Sequence, residues 1–351
     1  MWTLGISGSP VSEVESASLP TTFLHDSSAA LLHQGEVVCA FEEERLTRIK
    51  HTNSFPRKSI HACLEYAGIS SGYVENISYP FEKGYILKDW QKVTNGQFGS
   101  FEKCLLNSFQ KLGWSGDVAE RLIYVPHHLS HALLAVCGSG FESCLVVVID
   151  GNGEDVSTSI FVNRNGSIDC LEQYGVENSY GAYYQTATIL AGFEPFSEYK
   201  FMGLAPYGDC RRPFFEVGDT IGFSDARGPF VDIEGLRRVF FRGVPGAECI
   251  EERNKFRADF ASAVQLAFDI TILKLIKYWA SKIQMLKLCL SGECAQNSVT
   301  NGRLLYHGSV IEVYVHPAAH DGGCGLGAAL AIEYNEDYGS NKNTPLRRAR
   351  T

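Results

Sequence analysis

The stretch CLVVVIDGNGEDVSTSIFVNRNGSIDCLEQY, residues 144–174, decides the fold. Its opening run from Cys144 to Ile149 is apolar at every position, as in a strand covered on both faces, and it delivers Asp150 into the glycine-bearing loop GNGED. Two further runs, STSIFVNR and SIDCLEQY, flank Asn165-Gly166, a pair suited to the two left-handed residues of a tight hairpin. Working outward, the same grammar opens the chain: strand WTLGISG, a loop, then SSAALLHQGEVVCAFEEE at 27–44, two strands about Gln34-Gly35. A strand, a polar loop and a hairpin used twice predict an α/β chain of two related lobes. We place the first lobe at 1–141, the second at 142–335 and a polar tail at 336–351.

Two such lobes face one another across a central cleft. The arrangement resembles the duplicated actin-like ATPase fold of the sugar-kinase and Hsp70 type, which makes ATP the natural candidate ligand. Glycine suits such a cleft because a backbone without Cβ lets N–H groups approach phosphate oxygens closely. Helices are expected in SIHACLEYAGI, SFEKCLLNSFQKLGW and RADFASAVQLAFDITILKLIKYWASKI, where apolar residues recur at helical spacing. The last leads into strand MLKLCL and the loop SGECAQNSVTNGRLL, and a third strand, VIEVYV, ends before DGGCGLGAAL. Gly151, Gly153, Gly292, Gly322 and Gly323 thus lie in glycine-bearing loops at strand ends, where ligands of α/β sheets collect.

Within PHHLSHA, His127 and His131 are four residues apart and share one helix face. A helical histidine pair alone is more often a hydrogen-bonded surface or core feature than a ligand set. What points to a metal is its company, Asp150 and Asp321, each in a glycine-rich loop after a strand. Two neutral nitrogens and two carboxylates suit iron, manganese or zinc.

Composition narrows the class. The 351 residues fit two α/β lobes, and 45% apolar with 20% charged residues is ordinary for a globular protein. No apolar run approaches the roughly 18 residues of a membrane span, and WTLGISG starts without the features of a secretory signal. The expected location is the cytoplasm, without a membrane. Eleven cysteines without a CxxC pair read as buried structural thiols in a reducing compartment, and a net charge of −9 argues against nucleic acid as a partner. Arg347, Arg348 and Arg350 read as a solvated end.

Six ordered blocks extend this reading. HDSSAALLHQGEVVCAFEEERLTRIKH at 25–51, PHHLSHA at 126–132, DGNGEDVSTSIF at 150–161, SYGAYYQTATILAGFEPFSEYKFMGLAPYG at 179–208, LSGECAQNSVTNGRL at 290–304 and HDGGCGLGAAL at 320–330 resemble the carbamoyltransferases of antibiotic biosynthesis and nodulation. The main domain of that family is similar to the tRNA threonylcarbamoyl-transfer protein. The resemblance implies transfer of a carbamoyl group from carbamoyl-adenylate to a hydroxyl of a small-molecule acceptor. It makes His127, His131, Asp150 and Asp321 ligands of Fe(II) or another divalent metal, and His25 a general base. Lys50 becomes a cation beside the donor, with Glu42, Glu43, Glu44 and Arg45 as a charged network that fixes it, while Asp26, Ser27 and Ser28 shape the same loop. Gly181, Gly203 and Asn297 join the glycines above as nucleotide contacts. The aromatic residues Tyr180, Tyr183, Tyr184 and Tyr199 are candidates for an acceptor pocket or for packing.

The chain departs from the family pattern in three ways. Full-length members continue beyond about residue 335 into a domain that makes carbamoyl-adenylate, so here a separate protein is expected to supply it. Glu293 stands where the family has a second glycine; its carboxylate crowds a phosphate or accepts from ribose hydroxyls. Phe23 stands where some members place an aspartate. Two other functions fit the same residues: an ATP-dependent enzyme with changed chemistry, activating by phosphoryl or adenylyl transfer, and a non-catalytic nucleotide-binding partner subunit.

Overall fold

A computed structural model of the protein describes residues 1–334, apart from 116, 212–213, 247–248 and 308–309; the tail expected at 336–351 lies outside the described residues. The backbone divides into two compact units. One takes residues 1–140 and also 316–334, and the other takes 141–315.

In the first unit, β1 (Trp2–Ser7), β2 (Ser28–His33), β3 (Glu36–Glu42), β4 (Asn76–Tyr79) and β5 (Leu122–Tyr124) form one sheet ordered β3-β2-β1-β4-β5. The three sequential strands pair antiparallel, and β4 and β5 add in parallel. Gln34 and Gly35 both have positive φ, 53° and 83°, as a two-residue hairpin requires. Parallel pairing needs crossovers, and helices such as Arg57–Ala67 and Phe101–Lys111 supply them. Leu4, Ile6, Ile77 and Tyr79 meet Ile60, Trp90, Phe101 and Phe109 in its core.

The second unit repeats the plan. β6 (Ser143–Gly153), β7 (Val156–Arg164), β8 (Ser167–Gly175), β11 (Lys287–Ser291) and β12 (Glu312–Val315) are ordered β12-β11-β6-β7-β8. Here too three antiparallel strands precede two parallel ones, and the turn Asn165–Gly166 has φ of 49° and 83°. A separate ribbon, β9 (Ile221–Ser224) with β10 (Gly228–Val231), lies between β8 and β11 in sequence. The helix Ile250–Ile283 starts before the expected RADFASAV; its buried Phe260, Val264, Phe268, Ile272 and Ile276 recur every fourth residue. Tyr184 packs edge-on against Phe201 and Phe268, with centroids 5.4 and 5.2 Å away.

Three expectations need correction. GNGED is no simple loop: β6 continues to Gly153 with a bulge past Ile149, and the chain turns at Glu154–Asp155, both left-handed. Of the eleven cysteines, five are buried and Cys137 is exposed. The boundaries also change, because residues 316–334 belong with the first unit rather than with 142–315. The cause lies in the helix Cys324–Tyr334, which is buried on all sides at Gly325, Gly327, Ala328, Ala329, Ala331 and Ile332. Such a helix must be enclosed, and it packs between the β1 side of the first sheet and the helix His127–Ser139. Glycines permit the approach: a Cβ on Gly5 would lie 1.9 Å from the Gly325 carbonyl oxygen, and one on Gly327 would lie 2.0 Å from that of Ser130.

Candidate functional site

The first unit gathers most of the titratable residues singled out in the sequence. Pro126 precedes the helix His127–Ser139, and its carbonyl accepts from Ser130 N–H, so both histidines fall in the opening turns on one buried face. His127 and His131 are 1% and 0% exposed, with Nε2 atoms 3.2 Å apart. Their company comes from the far end of the unit. The short turn Asp321–Gly323 puts Asp321 Oδ1 3.4 Å from His127 Nε2 and 3.3 Å from His131 Nε2.

The protonation pattern follows from the surroundings. His127 Nδ1 lies 3.2 Å from the Pro80 carbonyl oxygen, which accepts only, so the proton sits on Nδ1 and Nε2 presents a lone pair. In the neutral ring that lone pair faces Asp321 Oδ1, a buried oxygen with no hydrogen-bond partner; a protonated ring turns an N–H to it instead. Burial pushes the Asp321 carboxyl up, but the charge and hydrogen bonds of His127, with His131 and His25, outweigh it and hold the group well below the usual carboxylate range. Two imidazole nitrogens and a carboxylate oxygen that converge on one buried point suit a divalent cation, which would take the place of those protons.

Beside this cluster, His25 is 11% exposed; its Nδ1 lies 2.9 Å from Asp26 Oδ2 and its Nε2 lies 3.9 Å from Asp321 Oδ2. Asp26, buried in a left-handed conformation (φ 55°), also takes His51 Nδ1 at 2.9 Å. Burial pushes its carboxyl up, but hydrogen bonds from His25, His320 and His51 prevail and keep it ionised far below its ordinary value. With Nδ1–H given to Asp26, His25 leaves Nε2 on the side of Asp321, and an imidazole held at Nδ1 by a carboxylate is suited to act as a general base.

Lys50 does not join this group. It is exposed and has no ion pair among the described residues. The acidic run expected to fix it is engaged elsewhere. Glu42 meets Arg45 at 3.0 Å and His320 at 3.3 Å, while Glu44 accepts from His51 N–H. Glu43 is buried against the first turn of the helix Arg57–Ala67, where it accepts from Lys58 N–H and from Ser59 N–H and O–H. Gly322 and Gly323 have packing reasons to be glycine: a Cβ would lie 2.5 Å from the His320 ring at Gly322 and 2.1 Å from the Ala318 carbonyl oxygen at Gly323.

Asp150 belongs to the second unit, buried at the bend of β6, where Oδ1 accepts from Glu293 N–H at 3.3 Å. Around it the glycines differ in purpose. Gly292 must be glycine, since its φ is +84° and a Cβ would lie 2.3 Å from the Ile149 carbonyl oxygen. A Cβ on Gly181 would lie 2.8 Å from the Asp150 carbonyl oxygen, whereas Gly151 and Gly203 have open space beside them. Gly153 pairs with Val156 at the turn. Asn297 caps the helix Ser298–His307 by accepting from Thr300 N–H, and its amide is locked to Gln265. Tyr180, Tyr183 and Tyr184 are core, their hydroxyls bonded to Gly222, Thr220 and Gln265; Tyr199 is exposed.

The sequence reading missed Cys324, whose Sγ lies 3.2 Å from His131 Nε2, and undervalued His51 and His320. For Cys324 a signal was present in its position three residues after Asp321, at the start of a helix.

Over residues 18–330 the chain matches the family described as carbamoyltransferase N-terminus. The chain belongs to that family. Among its relatives is the nodulation protein NolNO of Sinorhizobium fredii, 36% identical, with 95% of this chain and 50% of the relative aligned. The protein sll1178 of Synechocystis is 31% identical, with 89% and 56% aligned. The chain thus spans about half the length of the curated relatives it matches. Among solved structures, (R)-2-hydroxyglutaryl-CoA dehydratase component A of Acidaminococcus fermentans superposes with a TM-score of 0.51 at 15% identity, covering 94% of this chain and 97% of its own. That likeness shows the fold alone, the duplicated actin-like ATPase architecture. Among the described residues, no helix is long and apolar enough to cross a membrane.

Proposed function

We propose that the chain transfers a carbamoyl group from carbamoyl-adenylate to a hydroxyl of a small-molecule acceptor. The observation that carries this reading is the His25–Asp26 pair beside the His127, His131 and Asp321 cluster, in a chain of this family. His127, His131 and Asp321, all of the first unit, hold the divalent ion in this reading. When bound, the ion would offset the charge of the donor phosphate.

The remaining work falls to the chain itself. Asp26 keeps the proton on His25 Nδ1, so Nε2 takes the hydroxyl proton as the acceptor oxygen bonds to the carbamoyl carbon. The bond from that carbon to the phosphate oxygen breaks, and AMP leaves with the electron pair. Nucleotide contacts are assigned within the second unit to the backbone about Gly151, Gly153, Gly181, Gly203 and Gly292, with Glu293 accepting from ribose hydroxyls. Asn297 caps its own helix in that unit, while Gly322 and Gly323 pack against His320 and Ala318 in the first.

The test supplies carbamoyl-adenylate to the chain with a panel of sugars, nucleosides and macrocyclic alcohols. AMP release matched by a carbamate ester in mass spectrometry is expected, and His25→Asn lowers its rate at least about 100-fold. Production of ADP from ATP without any carbamate would overturn the reading.

A further inference from the structure

We infer that Cys324 is a ligand of the metal centre, so that His127, His131, Asp321 and Cys324 form a four-donor set within one unit and select a thiolate-tolerant ion of the zinc class. This rests on the metal reading of the histidine and aspartate cluster. Ligating atoms of these four residues all lie within 4.8 Å of one another, and no other such group among the described residues contains a thiol.

Geometry and surroundings agree. His131 Nε2 lies 3.2 Å from His127 Nε2 and 3.2 Å from Cys324 Sγ, and Asp321 Oδ1 lies 3.3–3.4 Å from the two Nε2 atoms, with the remaining separations to sulfur within 4.8 Å. The four short separations lie within a few tenths of an ångström of the roughly 3.3–3.6 Å edges of a tetrahedron with ~2.0 Å bonds to nitrogen and oxygen and ~2.3 Å bonds to sulfur. Cys324 is 1% exposed, so its sulfur has exchanged water for this cluster. It is also the first residue of the eleven-residue helix Cys324–Tyr334, three residues after Asp321. A second, independent pointer is Asp321 Oδ1, inaccessible and without a hydrogen-bond partner although it faces the same point. A soft sulfur beside two imidazoles and one carboxylate disfavours magnesium, which takes six hard oxygen ligands, and suits zinc or ferrous iron.

Cobalt(II), a spectroscopic stand-in for zinc, tests this when loaded anaerobically into the metal-free full chain. The wild type should show the visible bands of four-coordinate cobalt and a near-ultraviolet thiolate-to-cobalt charge-transfer band. Cys324→Ser should keep the visible bands, lose the charge-transfer band and bind zinc at least about tenfold more weakly, whereas Cys137→Ser, at an exposed thiol, should leave both unchanged. Visible bands without charge transfer in the wild type, or a charge-transfer band that survives Cys324→Ser, would overturn the sulfur ligand while leaving the metal reading intact. Wild type that binds no cobalt would overturn both. Should Cys324→Ser fail to fold, X-ray absorption of the zinc-loaded wild type decides: a sulfur shell at ~2.3 Å supports the inference, and a shell of nitrogen and oxygen alone overturns it.

Discussion

At residue scale, the proposed chemistry is concentrated where two imidazole nitrogens and a carboxylate oxygen converge on one buried point. His127→Ala removes one of them on a helix that the remaining buried leucines and alanines still hold. We expect bound metal to fall at least about tenfold while far-ultraviolet circular dichroism is unchanged, both measured on one sample. Asp269 shows the opposite balance in the second unit. It is fully buried, accepts from Gln265 and Thr300 and pairs with the Arg303 guanidinium at 3.0 Å, yet burial outweighs these and raises its carboxyl above the ordinary value. A raised folded-state value means that the native form holds the proton more tightly than the unfolded one. Stability is therefore greatest below the unfolded value and declines as pH rises through the folded one. Asp269→Asn removes that titration, so its urea midpoint should improve relative to wild type as pH rises from about 4 to 7. The reverse trend would show that the Arg303 pair dominates.

At the scale of elements, some features were plain in the sequence and others could not be. Both hairpins were legible because Gln34-Gly35 and Asn165-Gly166 tolerate positive φ between alternating strands. The extension of β6 was not, because a glycine-rich run signals a loop and a bulged strand alike. Glu43 was misread for a different reason. Three consecutive glutamates look like a surface run, yet the middle one supplies the acceptor that Pro56, at the cap position, lacks for the helix Arg57–Ala67. Glu43→Ala leaves those buried donors unsatisfied, and a loss of about 2–3 kcal/mol in urea unfolding is expected. The helix Cys324–Tyr334 depends on contact rather than charge: Gly327→Ala drives a methyl into the Ser130 carbonyl and should cost about 1–3 kcal/mol.

At the scale of the whole molecule, the two sheets share one strand order, and that duplication was readable. The site was readable only in part. His127 and His131 carried helical spacing, Asp321 a glycine-rich loop after a strand, and His25 only the family resemblance, whereas Cys324 looked like any other scattered thiol until folding brought it to His131. The boundary was misplaced because periodicity says where a helix forms but not which sheet it will cover. Residues 316–334 serve the sheet that begins at Trp2. A chain ending at Val315 should fail to form the first unit, and the emission of Trp2, Trp90 and Trp114 should shift to the red while the long second-unit helix still gives helical circular dichroism. Native-like emission from that truncated chain would show that the returning helix is dispensable.

That return has a consequence during biosynthesis. Once the first 140 residues have left the ribosome, one side of their sheet stays uncovered until the entire second unit has been translated, an interval of roughly ten to thirty seconds. The nascent protein therefore leaves the sheet face around Gly5 and Leu32 uncovered for that time, and neither Asp321 nor Cys324 exists before it ends. In the proposed reading, an ion can be taken up only by a chain whose synthesis has passed both residues, so covering of that face and completion of the cluster come with the same returning segment.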